Sequence, residues 1–383
     1  MDFSLDDDLE GFRQEIRRFM AEHLTEEVRW RTYNSGTMHD WEFHRALAGR
    51  GWIALSWPVE YGGLGRSPLE SLVFFEEANY ARAPLYGMNT TTGSARAVLH
   101  CGSEELRRTV IPEVLAGNVI IALGLSEPDS GSDLAAAKTR AVKDGSTWLI
   151  NGQKVFTSTV EECAYIFLLT RTNTAVDKHR GLTVFLVPTE TPGIEIAPIY
   201  TLAERTNMTY YADVVVDDRW RVGQVDQGWD VVMTALSYER GGHGFHGHMF
   251  SLLDQAVDHF ASTGLDEAPA RTLSELGRFA AASEVARLLD HRTAWIHDQG
   301  RRPGAEGSMA KLFGTEHYSA FAATLLDLLG PVGLLQPGEA GAPGHGWMEF
   351  AHRYATPTTV YGGASEVQRS IVAERGLSLP RSR

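Results

Sequence analysis

Cysteine is scarce: 383 residues contain two, Cys101 and Cys163. They form no CxxC pair and have no metal-ligand spacing, which excludes a disulfide scaffold and fits reduced thiols in a cytoplasmic protein. No window approaches the ~20 apolar residues that a membrane span needs. The N-terminus carries Asp2, Asp6, Asp7, Asp8 and Glu10 instead of a basic stretch followed by an apolar one. Positive charge is also in deficit: Lys+Arg 35 against Asp+Glu 49 gives −14, and no local basic stripe offsets it. Such a field repels polyanions, so neither nucleic acid nor a membrane is expected as a partner. Repeats and low-complexity stretches are absent. What remains, 43% hydrophobic and 22% charged residues, is the composition of a soluble chain with a sizeable core. Its length suits two or three domains of about 150 residues.

The period of the apolar residues changes twice along the chain. Leu9, Phe12, Ile16 and Phe19 lie on one helix face, and helical spacing returns at Phe43–Leu47, Leu69–Tyr80 and 103–115, interrupted by a Gly-rich loop near 57–65. From Val119 the runs become short, β-branched and aromatic: Trp148–Ile150, Tyr165–Thr170, Leu182–Val187 and Asp213–Val216. Asp144-Gly145, Asn151-Gly152 and Pro192-Gly193 read as turns between them. Long helical runs follow, near 229–260, 273–296 and 310–329. The expected organisation is a helical domain over 1–118, a β domain over 119–224 and a helical bundle over 225–383.

Several motifs bear on chemistry. Gly242, Gly244 and Gly247 spell GxGxxG, but the residues before them have helical rather than strand spacing, which argues against a dinucleotide-binding turn. Gly241, Gly242, Gly244 and Gly247 each cost a helix about 1 kcal/mol relative to Ala. Either the helix breaks there, or the missing side chains make room for something bulky. On a continuous helix Glu239 would share a face with Gly242, His243 and His246. A carboxylate half buried beside a ligand has the raised pKa that a general base needs near neutrality. The three-residue spacing of His243 and His246 is too weak a metal signal, and no metal is expected.

The segment 123–139, LGLSEPDSGSDLAAAKT, gathers hydroxyls and bare backbone N–H groups at Ser126, Gly131, Ser132 and Asp133. Such a turn suits the oxygens of a planar or phosphorylated ligand. About twenty residues on, Asn151 to Ser158 adds the Phe156 ring and the Thr157 and Ser158 hydroxyls. Alone, the first segment reads as a surface loop; together the two read as a ligand site.

Four segments in this order, GWIALSWPVEYGG (51–63), LSEPDSGSD (125–133), NGQKVFTS (151–158) and YGGASEVQRSIV (361–372), resemble the landmarks of the acyl-CoA dehydrogenase family along nearly the whole chain. The resemblance implies that family's α+β fold: an N-terminal helical domain, a middle β-barrel-like or sandwich domain, and a C-terminal four-helix bundle. It also implies FAD as cofactor and oxidation of an acyl-CoA between Cα and Cβ. On this basis Leu123, Leu125, Ser126, Gly131, Ser132, Phe156, Thr157, Ser158 and Glu366 are expected to hold the flavin. Ser132, Arg240, Tyr361 and Gly362 are expected to hold the substrate, with the Gly362 N–H on the thioester carbonyl.

Two departures sharpen the expectation. The commonest family pattern has its catalytic glutamate directly after the tyrosine, where this chain has Gly362. Glu239 matches the bundle-helix position used by branched- and long-chain members, and becomes the expected base. Gly362, Gly363 and the glycines after Arg240 suggest a wide cavity for a bulky, branched or steroid side-chain acyl group. Next, the Arg-x-x-Phe-Gly segment of family homotetramers is missing between Phe260 and Leu276. Asp327, Gly330, Pro331 and Gly333 stand where Gln-x-x-Gly-Gly-x-Gly usually contacts a neighbour's pyrophosphate. A carboxylate there repels phosphate and proline removes a donor. A second acyl-CoA dehydrogenase-like subunit in an α2β2 assembly is therefore expected, or otherwise a homotetramer, with an electron-transfer flavoprotein-type acceptor. The competing readings are a flavin monooxygenase and a low-activity scaffolding subunit.

Overall fold

A computed structural model describes residues 6–239, 244–264 and 268–381, with the backbone alone at 237–239. Six helices come first: α1 (Asp7–His23), α2 (Glu26–Ser35), α3 (Trp41–Gly49), α4 (Pro68–Tyr80), α5 (Tyr86–Cys101) and α6 (Glu104–Leu115). The strands are β1 (Ile121–Gly124), β2 (Arg140–Asp144), β3 (Thr147–Lys154), β4 (Tyr165–Arg171), β5 (Leu182–Pro188), β6 (Ile194–Tyr200), β7 (Arg205–Asp217) and β8 (Arg221–Val222). Helices then resume as α7 (Gly228–Glu239), α8 (His246–Thr263), α9 (Thr272–Asp298), α10 (Glu306–Leu329), α11 (Trp347–Thr358) and α12 (Ser365–Ile371). The chain forms two compact units. One comprises 1–22, 67–83 and 240–383; the other comprises 23–66 and 84–239.

Local chemistry sets many of these boundaries. Ser67 accepts from the Glu70 N–H while the Glu70 carboxylate accepts from the Ser67 N–H, and Pro68 occupies the first turn of α4. Thr25, Asp40 and Ser103 cap α2, α3 and α6 in the same one-sided way.

In the unit built on the strands, the ladder runs β6-β7-β3-β2-β4-β5-β8, with β1 parallel to β4. β4 and β5 are buried along almost their whole length, as strands covered on both faces must be. Ile150, Ile166, Leu168, Phe185 and Val214 form their core. Asp144-Gly145 turns β2 into β3 as expected, and Pro192-Gly193 precedes β6. Asn151-Gly152 makes no turn. It lies inside β3 at a register shift against β7, where Gly152 (φ +149) would drive a Cβ to 2.7 Å from the Thr139 Cα. The bulge needs its glycine for close approach, which a turn signal in sequence cannot distinguish.

Between β6 and β7, burial alone pushes the Glu204 carboxyl up to about 7 from 4.5, and its Oε1 has no hydrogen-bond partner among the described residues. The folded chain thus keeps a proton there that the unfolded chain releases near 4.5. Stability from the neutral carboxyl is present at low pH and lost as the pH rises through about 7. Glu204→Gln should match wild type in thermal unfolding at pH 4.5 and exceed it at pH 8, by on the order of 1–2 kcal/mol. Equal midpoints at both pH values would contradict this.

The other unit packs α8, α9, α10 and α11 around Met249, Leu252, Phe260, Phe279, Phe321 and Leu325. The Phe279 and Phe321 rings stack at 3.6 Å between centroids. Burying each such side chain contributes roughly 1.5–3 kcal/mol. α4 joins this unit against α8, and glycine makes the contact possible. A Cβ on Gly247 would lie 2.2 Å from the Glu76 carbonyl oxygen, and one on Gly244 (φ +57) 2.3 Å from the Glu76 nitrogen.

Of the two readings of these glycines, the break is the one found. Gly244 and Phe245 are not helical ahead of α8 at His246, so Glu239 and His246 do not share one continuous helix. The space left by Gly244 and Gly247 is filled by the backbone of α4 and leaves no cavity there. Gly241, Gly242 and His243 lie outside the described residues.

Candidate active site

In the strand-bearing unit, the segment 125–139 is pinned to the end of β3. The Ser126 carbonyl accepts from the Val155 N–H at 2.9 Å, and the Leu125 carbonyl from Lys154 Nζ at 3.1 Å. Lys154 Nζ also donates to Glu127 Oε1 at 2.8 Å, with both side chains buried. Burial pushes the Lys154 ammonium down to about 8, with Glu127 opposing. Burial works against the Glu127 charge too, but Lys154 and the Thr139 and Lys138 N–H groups outweigh it and hold its pKa low. From the far side, Arg171 donates to the Ala135 and Ala137 carbonyls. The tip, Gly131 to Asp133, stands exposed, and a Cβ on Gly131 would meet nothing within 4 Å. The Ser130 hydroxyl beneath it is buried with no hydrogen-bond partner among the described residues.

The expected flavin residues separate by burial. Leu125 is buried, Leu123 and Ser126 are half-buried, and Ser132 is exposed. Phe156 is 61% exposed with φ +58, a conformation that costs a non-glycine residue roughly 1–2 kcal/mol. A large apolar ring held outward by a strained backbone is a surface for another flat ring to cover. Ser158 is half-buried and shares a 2.7 Å hydrogen bond with the Thr206 hydroxyl. Thr157 is fully buried: its N–H donates to the Asn207 carbonyl, and its hydroxyl pairs with Thr209. Of the two hydroxyls, Ser158 thus reaches the open side. These donors and the bare ring fit the demands of FAD.

Sequence reasoning missed Thr206, Asn207 and Thr209 on β7. They carry no motif, and only the β3–β7 pairing brings them to Phe156–Ser158.

α7 rests within the same unit, burying Val231, Val232 and Ala235. The Ala235 carbonyl lies 3.1 Å from where a Cβ on Gly93 of α5 would be. This fixes the backbone of the helix that ends at Glu239. The Glu239 side chain lies outside the described residues, and so does all of Arg240.

In the other unit, Tyr361 and Gly362 form the turn between α11 and α12. Tyr361 is 43% exposed and bonds the Tyr354 hydroxyl at 3.3 Å. Gly362 (φ +63) and Gly363 (φ +93) both need the left-handed region. Gln368 Nε2 donates to both their carbonyls, at 3.0 and 3.2 Å, and Lys311 Nζ donates to that of Gly363 at 2.8 Å. Burial pushes the Lys311 ammonium down to about 8, opposed by Glu316 and Glu366. Glu366 itself is exposed on α12. Gln368 and Lys311 were not anticipated, because any side chain with an N–H can hold a carbonyl and no spacing announces it. A Cβ at Gly362 would meet nothing within 4 Å, so the turn opens onto free space.

Three family models match the chain in sequence order. They are the acyl-CoA dehydrogenase N-terminal domain over 6–118, the middle domain over 122–217 and the C-terminal domain over 226–377. Among relatives, acyl-CoA dehydrogenase FadE26 of Mycobacterium tuberculosis is 35% identical, covering 97% of each chain. Acyl-CoA dehydrogenase IpdE1 of the same organism is 31% identical over 98% of each. Among solved structures, the Tcur3481-Tcur3483 steroid ACAD superposes with a TM-score of 0.92 at 32% identity, covering 100% of both chains. The ChsE4-ChsE5 complex from Mycobacterium tuberculosis gives 0.89 at 32% identity, again over 100% of both.

Proposed function

Because this chain belongs to the acyl-CoA dehydrogenase family, and so is an oxidoreductase of that fold, we propose that it uses FAD to oxidise a bulky, branched or steroid side-chain acyl-CoA between Cα and Cβ. The steroid enzyme named among its structural relatives supports that acyl class. The observation that carries the cofactor assignment is Phe156, a ring held in solvent by a left-handed backbone beside Ser158. Bound FAD supplies the hydride acceptor. Everything else falls to the chain.

Phe156 would cover a face of bound flavin, Ser158 and Ser126 would supply hydrogen bonds to its polar edge, and Ser132 would serve its phosphates. The Gly362 N–H donates to the thioester carbonyl, on a turn whose own carbonyls are held by Gln368 and Lys311. A fixed donor aimed at developing enolate charge is worth about 2.7–4 kcal/mol in acyl chemistry. Glu239 takes the α-proton, since Gly362 has no side chain to do so. The covering acyl chain excludes water and raises the carboxylate pKa toward neutrality. Asp327, 4.0 Å from Arg271, and Pro331 make a poor phosphate site. This supports a second subunit that supplies the adenine-end contacts in an α2β2 assembly, with an electron-transfer flavoprotein-type acceptor.

The test is anaerobic mixing of the purified flavoprotein with straight, branched and polycyclic CoA thioesters. Bleaching of the flavin, fastest with a branched or polycyclic thioester, is expected. No bleaching by any CoA thioester, with oxygen consumed on an amine or aromatic instead, would replace this reading with a monooxygenase. Full FAD in a stable homotetramer of the chain alone would remove the second subunit.

A further inference from the structure

Three buried polar atoms converge inside the helical unit, each without a hydrogen-bond partner among the described residues: Glu76 Oε2, His246 Nε2 and His291 Nε2. They come from α4, α8 and α9. The carboxylate oxygen lies 3.3 Å from the first ring nitrogen and 3.5 Å from the second, and all three atoms fall within 4.8 Å of one another. Both contacts are ion pairs when the imidazoles are protonated. Their side chains are 13%, 0% and 5% exposed, so water does not serve them freely. An unmade bond at a buried polar atom costs about 1–3 kcal/mol, and here three face one point.

The opposite edges of two of these groups are held. His246 Nδ1 lies 2.7 Å from Asp290 Oδ2, and Arg13 Nη2 donates to Glu76 Oε1 at 3.2 Å. A carboxylate behind a histidine fixes the ring so that its far nitrogen can exchange its proton for a metal ion, which is how metal-ligating histidines are usually supported. The spacing agrees. Nitrogen and oxygen ligands ~2.0–2.1 Å from a tetrahedral ion sit about 3.3–3.5 Å from one another. The glycines near the start of α8 belong to the same construction. Gly244 and Gly247 let the helix touch the α4 backbone at Glu76, and that contact delivers His246 to the carboxylate. Sequence spacing paired His246 with His243; the fold pairs it with Glu76 and His291.

We propose that Glu76, His246 and His291 bind a divalent first-row cation of the zinc class, tying α4, α8 and α9 together. None of these three residues is among those assigned to the oxidation above. Its burial gives it a structural role and leaves at most one position for water.

The experiment uses the full chain, with any subunit that copurifies, grown with added zinc. Metal content is measured by mass spectrometry, and thermal midpoints are read after chelation and after returning zinc sulfate. About one zinc per chain is expected. The midpoint should fall by several degrees on chelation and recover with stoichiometric zinc. His291→Leu should retain under a tenth of the metal and lose the response. Cobalt loading should give the visible absorption of a four- or five-coordinate His/carboxylate site, which keeps the test decisive if His291→Leu does not fold. Wild-type protein without stoichiometric metal, whose midpoint ignores both chelator and zinc, would overturn the proposal. A proton bridging His246 to its two carboxylates would then account for the cluster. Zinc kept at wild-type level by His291→Leu would overturn it equally.

Discussion

Glu239→Gln should reduce flavin reduction by an acyl-CoA by ~10²–10⁴-fold, the range a positioned general base supplies, while FAD content stays at the wild-type level. The substitution keeps the shape of the side chain and removes only its capacity to accept a proton. The loss should fall on kcat and on kcat/KM together, as it does when an interaction made only in the transition state is removed. No other carboxylate is assigned to the task, because the residue after Tyr361 is Gly362. The contrast with Glu366 is informative. That carboxylate is exposed on α12, and Glu366→Gln should change the rate far less. Stopped-flow absorbance under anaerobic conditions reads both variants.

Lys154→Met should cost about 3–5 kcal/mol, the penalty for breaking a buried ion pair from one side. Lys154 and Glu127 are both buried, 2.8 Å apart, and the ammonium also holds the Leu125 carbonyl. Without it, the Glu127 carboxylate keeps its two backbone donors but loses the ammonium paired with it at 2.8 Å. The segment 125–139 then loses one of its ties to β3 and keeps that of Val155, so flavin should be released at a temperature below that of global unfolding. Pairing Lys154→Met with Glu127→Gln should recover part of the loss, since the two sites share one interaction. Flavin fluorescence and circular dichroism recorded on the same sample separate the two events. A Lys154→Met chain that matches wild type in both would refute the structural role given to this pair.

Much of this architecture was legible in the residues. The runs Tyr165–Thr170 and Leu182–Val187 became β4 and β5 because uninterrupted β-branched and apolar residues suit strands covered on both faces. Asp144-Gly145 formed its turn; Asn151-Gly152 did not, because the same dipeptide also serves a bulge, and the approach of Thr139 is a long-range fact. The glycines after Arg240 were legible as an anomaly but not as a contact. What Gly244 and Gly247 accommodate is α4, more than 160 residues earlier in the chain. The described part of the break before α8 includes Gly244, whose backbone is left-handed. Phe156 and Ser158 could be named from their segment, yet their separation from Thr157 by burial needed β7 beside them. Gln368 and Lys311 were out of reach, since their role is to hold carbonyls, which every residue has.

The central claim is that the Glu239 carboxylate takes the α-proton. Exchange of the α-hydrogens of an acyl-CoA with no hydrogen on its β-carbon isolates that step, because hydride cannot leave. In deuterated buffer under anaerobic conditions, the wild-type holoenzyme should wash deuterium into the α-position, and Glu239→Gln should do so at least ~100-fold more slowly. Exchange by Glu239→Gln at the wild-type rate would contradict the account.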